Sequence, residues 1–225
     1  MWTQSIQIMA LPLTVLIAMN RYSRKINLAI AAFLFCFGCK NINYPAGAPR
    51  IASDFLSDKH VDGQSRNVLH QGIDILVEDI KFVLAVADGK ILKSGEEKCW
   101  GLTIAADHGL GIDGQKIVAI YSHLSEIIVN DGERVKRGQP IARLDKNNRN
   151  YECINGIKSH LHFQIGREFN ALYLHKPNWG WRYSLYDIDR GINPHLYWAN
   201  GKNNITCFDK NKKYKRGTIT YPVPC

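Results

Sequence analysis

SHLHFQI, residues 159–165, sets two imidazoles either side of one leucine inside an apolar run. Side chains on a β-strand alternate between faces, so Leu161, Phe163 and Ile165 fall on one side and His160, His162 and Gln164 on the other. A hydrophobic core takes the first set. The second set brings together two groups that titrate near neutrality and ligate metals. LHQGIDIL, residues 69–76, repeats the logic: His70, Gly72 and Asp74 share a face, Leu69, Ile73 and Ile75 are available to the core, and Gly72 leaves room between imidazole and carboxylate. Both donor types bind zinc at about 2.0–2.2 Å. KIVAIYSHL, residues 116–124, ends a third strand in His123, on the parity of Ile117, Ala119 and Tyr121. If these strands are neighbours, His70, Asp74, His123, His160 and His162 converge. A hydrolytic zinc site uses three protein ligands and keeps one position open, which leaves two histidines for proton transfer and charge stabilisation. Each piece alone is ordinary: H-x-H on a strand is more often a hydrogen-bonded pair, and H-x-x-x-D is weaker still. H-E-x-x-H does not occur, so a helix-based zinc hydrolase is unsupported.

The elements that must hold these groups read as short strands. From about residue 51 to 166, apolar runs alternate with turn signals and no stretch sustains helical periodicity, so an antiparallel β-rich domain is expected. IKFVLAVADGKILKSG predicts a hairpin around Asp88-Gly89, and LTIAADHGLGIDGQKIVAIYSHL predicts two more strands around a glycine-rich turn. Beyond about residue 167 the texture changes. Trp179, Trp181, Tyr183, Tyr186, Tyr197 and Trp198 crowd an extension that either covers the domain or lines a groove.

The ordered set HQGIDI (70–75), VADGKILKSG (86–95), GLTIAADHGLG (101–111), YSHLS (121–125), VNDGERVKRGQPIA (129–142) and HLHFQI (160–165) resembles the LytM/lysostaphin-type zinc metallo-endopeptidases, over about residues 51–195. The resemblance implies a mainly β, antiparallel, barrel-like peptidase domain that cleaves peptide stems or cross-links of bacterial peptidoglycan. It also implies one Zn²⁺ per chain on His70, Asp74 and His162, with His123 and His160 as the remaining active-site pair; either could serve as the base, and His160 is our expectation. His108 matches a family position that is not a ligand, while His60, His175 and His195 match nothing catalytic. Departures are the absence of a tyrosine shortly before His70 and the long segment RLDKNNRNYECINGIKS before His160. Some domains of this type have lost ligands and act as non-catalytic wall-binding regulators that activate amidases; here all five groups are present.

The chain of 225 residues has 29 Lys and Arg against 20 Asp and Glu. Residues 1–39 read as an export signal, with Arg21, Arg24 and Lys25 before the apolar run Ile26–Gly38, Met19 as the expected true start, and Cys39 placed like a lipobox cysteine. The expected location is the periplasm or cell envelope, with a membrane link through the signal or a lipid anchor. Without residues 1–39 the count becomes 26 against 20, a net +6, suited to an anionic partner; export argues against nucleic acid. Residues 40–50 read as a linker, 51–198 as the peptidase domain and 199–225 as a C-terminal extension. The four remaining cysteines favour disulfides in an exported chain, with Cys99–Cys153 and Cys207–Cys225 as the expected pairs.

Overall fold

The computed structural model describes residues 41–79, 81–97, 100–145, 159–169 and 191–225. Residues 1–39 with Met19 and Cys39, both members of the expected Cys99–Cys153 pair, and Trp179, Trp181, Tyr183 and Tyr186 lie outside the described residues. Ten strands run through the described part: β1 (Ile51–Ser53), β2 (Gly72–Leu76), β3 (Lys81–Leu84), β4 (Gly89–Glu97), β5 (Gly101–Leu110), β6 (Lys116–Leu124), β7 (Glu126–Ile127), β8 (Arg134–Val135), β9 (Pro140–Leu144) and β10 (His160–Gly166). They form a seven-stranded sheet in the order β1-β2-β10-β6-β5-β4-β8 and a three-stranded sheet in the order β3-β9-β7. All strand pairs are antiparallel. The architecture is therefore mainly β.

Alternation along the strands separates core from site. Leu161, Phe163 and Ile165 of β10, Ile73 and Ile75 of β2, and Ile117, Ala119 and Tyr121 of β6 join one apolar cluster with Val83 of β3 and Ile141, Ala142 and Leu144 of β9. Each large apolar side chain buried there contributes about 1.5–3 kcal/mol. The opposite face of β10, free of this packing duty, carries the histidines. Leu69 does not join the core: it is 50% exposed, because β2 begins only at Gly72.

The predicted hairpin around Asp88-Gly89 does not form. β3 pairs with β9 and β4 pairs with β5 and β8, so the chain crosses from the small sheet to the large one between them. The crossing is stapled instead to residues 136–139: Ala85 N–H donates to Gln139 O, Gly138 N–H to Ala85 O, and Arg137 N–H to the Asp88 carboxylate at 2.9 Å. The glycine-rich hairpin joining β5 and β6 is as expected, with Leu110 opposite Lys116.

The C-terminal segment is part of the core. Ile192, Tyr197, Trp198, Ile205, Ile219, Tyr221 and Val223 belong to the same cluster, with Ile42 and Tyr44 packed on it. Residues 42–50, read as a linker, lie along this segment: Asn43 bridges Asn204, and Cys225 sits against Gly47. The expected Cys207–Cys225 disulfide is formed, with Cα atoms 5.9 Å apart. By loop-closure entropy a link of this span contributes about 3 kcal/mol. The cations of the run 210–216, namely Lys210, Lys212, Lys213, Lys215 and Arg216, are all exposed.

One buried polar chain threads the core. Val86 N–H donates to Tyr121 Oη at 3.1 Å, the hydroxyl lies 2.9 Å from His108 Nε2, and His108 Nδ1 lies 3.3 Å from Asp88 O. A carbonyl only accepts, so the His108 proton sits on Nδ1 and the tyrosine donates to Nε2. Burial, partly opposed by hydrogen bonds to the Asp88 and Ala87 carbonyls, lowers the His108 pKa from 6.5 to about 4. Below pH 6.5 the unfolded chain therefore takes up a proton that the folded chain refuses, and stability is lost as pH falls toward about 4. The melting temperature is expected to fall between pH 7 and about 4, less steeply in His108→Gln; equal slopes for the two proteins contradict this assignment.

Candidate metal centre

Strand order builds the site. β10 lies between β2 and β6, so His162 stands opposite Asp74 on one side and Ser122 on the other. Asp74 Oδ1 is 2.9 Å from His162 Nδ1 and 3.0 Å from His70 Nε2, and the two imidazole nitrogens are 3.0 Å apart. All three residues are buried, and together they form a group able to hold a metal ion. The three residues expected as ligands thus meet at one point.

Their outer hydrogen bonds fix which atoms face that point. His70 Nδ1 lies 3.0 Å from Asp54 O and 3.2 Å from Ser53 Oγ. The carbonyl only accepts, so Nδ1 carries the proton and Nε2 presents its lone pair. His162 Nε2 faces Gln164 Oε1 at 3.4 Å, which likewise leaves the lone pair on Nδ1. Asp74 Oδ2 is taken by Arg66 Nη2 at 2.6 Å, and only Oδ1 turns inward. Three acceptors thus converge with no donor among them, a set suited to a cation. Zinc bonds of about 2.05 Å at tetrahedral angles separate neighbouring ligands by about 3.3 Å, a few tenths of an ångström more than found here. The donor set and spacing fit such an ion.

Charge states agree. Burial pushes the Asp74 carboxyl upward, but the surrounding His70, His160 and His162 outweigh it and hold the group well below the usual carboxylate range. Burial lowers His162, against the pull of Asp74, and so keeps the imidazole neutral as a ligand must be. Burial, reinforced by His160 and His162, holds His123 well below the ordinary histidine value.

His123 and His160 stand beside the trio. Their rings are 4.7 Å apart, His123 is 5.9 Å from the His162 ring, and His160 Nε2 is 3.8 Å from Asp74 Oδ1. Strict alternation would send His123 to the core with Tyr121. It does not, because His123 adopts φ +65°, in the left-handed region, and turns its ring to the site face. Trp100 O holds it there by accepting both the backbone N–H and Nδ1–H of His123, each at 3.0 Å. The Trp100 ring lies 5.1 Å from that of His162. Arg66, Asp54 and Trp100 gave no signal in the sequence, since loops bring them in, and neither did Ser53, which the short β1 sets opposite Asp74. His195 is buried and bonds Asp54.

Residues 68–173 match peptidase family M23. This stretch is a peptidase family M23 domain. Stage II sporulation protein Q of Bacillus subtilis (strain 168) is 29% identical over 106 residues, covering 46% of this chain and 34% of the relative. The chain thus spans about a third of that relative's length. Among solved structures, the catalytic domain of the antimicrobial peptidase lysostaphin from Staphylococcus simulans is 24% identical, over 54% of this chain and 84% of that one, with a TM-score of 0.42. LytU is 23% identical, over 58% and 84%, with a TM-score of 0.43. The M23 match includes all five groups of the site and ends before the C-terminal segment.

Gly72 is the tightest point of the M23 site. A Cβ there would lie 2.5 Å from Phe163 O and 3.0 Å from His162 Cε1, so strand and imidazole would both have to shift. Gly72→Ala is expected to cost about 1–3 kcal/mol in urea unfolding and to weaken metal binding; an alanine variant with unchanged stability and metal affinity contradicts the packing described.

Proposed function

We propose that this M23 domain is a zinc-dependent endopeptidase that hydrolyses peptide bonds in the stems or cross-links of bacterial peptidoglycan. The observation that carries the reading is the convergence of His70 Nε2, Asp74 Oδ1 and His162 Nδ1, with two further imidazoles alongside. Zinc, when bound by those three residues, supplies Lewis acidity toward water and a peptide carbonyl. The rest falls to the chain. Neutral His123, whose Nδ1–H is fixed on Trp100 O, has its lone pair at Nε2 and is suited to accept a proton from the attacking water. This favours His123 over His160 as the base. His160, 3.8 Å from the Asp74 carboxylate, is favoured as the hydrogen-bond donor that stabilises negative charge developing on the carbonyl oxygen. The surrounding imidazoles keep the Asp74 carboxylate ionised against its burial, and Arg66 on Oδ2 holds it in one orientation.

Export to the cell envelope accords with such a substrate. The amino-terminal signal, with or without acylation at Cys39, would deliver the domain there, and the excess of cations suits an anionic wall. A wall-binding regulator without chemistry has no use for a complete ligand set plus two oriented histidines.

Zinc content and turnover separate the roles. His162→Ala and Asp74→Ala are expected to lose stoichiometric zinc by elemental analysis, whereas His123→Ala and His160→Ala keep it and hydrolyse isolated sacculi at least about a hundredfold more slowly. Mass spectrometry of the released muropeptides names the bond. Retained zinc in His162→Ala removes the ligand assignment, and intact sacculi after treatment with the zinc-loaded wild type favour the regulator.

A further inference from the structure

The segment 191–198 lies beyond the residues that match the family, yet it reaches the metal centre. Trp198 Nε1–H donates to His195 Nδ1 at 2.9 Å. An indole nitrogen only donates, so His195 Nδ1 is the acceptor, and the one proton of the neutral ring sits on Nε2. From there it is donated to Asp54 Oδ1 at 2.8 Å. Asp54 Oδ1 also accepts the N–H of Phe55 at 2.6 Å, so the Asp54 side chain is held from two directions. The backbone carbonyl of the same Asp54 receives Nδ1–H of His70, the ligand whose Nε2 faces Asp74 and His162. An unbroken line of fixed donors and acceptors therefore runs from Trp198 through His195 and Asp54 to His70.

The anchor of that line is firm. Trp198 is 1% and His195 1% exposed. Trp198 bridges Ile219, Asn203 N–H donates to His195 O, and Cys207–Cys225 ties the following chain together. Ile192 N–H meanwhile donates to Ile165 O of β10, the strand that carries His160 and His162. One segment thus touches both the strand that supplies His162 and the loop whose carbonyl holds His70.

We propose that His195 is a positioning residue for the metal centre: through Asp54 it fixes the tautomer and direction of His70, so that the C-terminal segment acts as a clamp on the site. The inference rests on the metal-centre reading above. A ligating histidine normally donates its second ring nitrogen to a fixed acceptor, and losing that support costs 10–100-fold in metal affinity. Here the acceptor is a loop carbonyl, and the loop is held by His195.

The test measures zinc dissociation constants by chelator competition on the full chain, with apo-protein thermal unfolding alongside. His195→Phe keeps a planar ring but cannot bond Asp54, and Asp54→Ala removes the bonded carboxylate from a side chain that is 41% exposed. Both are expected to bind zinc at least about tenfold more weakly. His195→Gln, whose carboxamide can accept from Trp198 and donate to Asp54, is expected to remain within about threefold of wild type. A merely structural histidine would lower the apo unfolding temperature and leave the zinc constant in place. Wild-type affinity in both His195→Phe and Asp54→Ala overturns the proposal, and Asp54→Ala decides alone if His195→Phe does not fold. A wild-type chain that binds no zinc overturns the metal-centre reading itself, a distinct outcome because it needs no substitution.

Discussion

Three lone pairs held about 3 Å apart and buried repel one another, and the rest of the site exists to keep them so. Asp54 O takes the proton side of His70, Gln164 Oε1 that of His162, and Arg66 takes the outer oxygen of Asp74. Each bond removes a way for a ligand to turn aside. Orienting partners of this kind set ligand basicity and geometry as much as the ligands do. A cation at the focus converts the mutual repulsion into attraction, which is why two buried imidazoles and a buried carboxylate are tolerable together.

The sheet supplies the precision. β10 is hydrogen-bonded on both sides, to β2 and β6, and its other face is locked by Leu161, Phe163 and Ile165 in the main core. A one-residue slip of β10 would exchange the two faces and bury the histidines in apolar packing. Register is therefore fixed by the core, and the core fixes the metal site. Closure of the C-terminal segment by Cys207–Cys225 and its insertion into the same cluster extend that rigidity to residues outside the M23 match.

The convergence of Asp74 and His162 was legible because both sit on strands, where period-two reasoning is strong; His70 reads in the sequence as part of the same strand, although β2 begins only at Gly72. The mainly β, antiparallel class followed from the same alternation and its turn signals. Long-range choices were not legible. Asp88-Gly89 carries hairpin chemistry, but the carboxylate of Asp88 is spent on Arg137 and the strands beside it enter different sheets. His123 defies its parity through a single backbone torsion, a feature with no side-chain signature at a non-glycine residue. Leu69 looked like core because periodicity cannot say where a strand begins. Arg66, Asp54 and His195 join the site through loops and a terminal segment, whose contacts depend on the completed fold rather than on any local pattern. Tyr197 and Trp198, part of an aromatic group read as either cover or groove, are buried cover.

X-ray absorption at the zinc edge of the purified protein is the most direct measurement of the central arrangement. Two imidazole nitrogens with one carboxylate oxygen at about 2.0–2.2 Å and no sulfur are the predicted inner shell. A shell containing cysteine sulfur at about 2.3 Å, or one that lacks imidazole scattering, contradicts it.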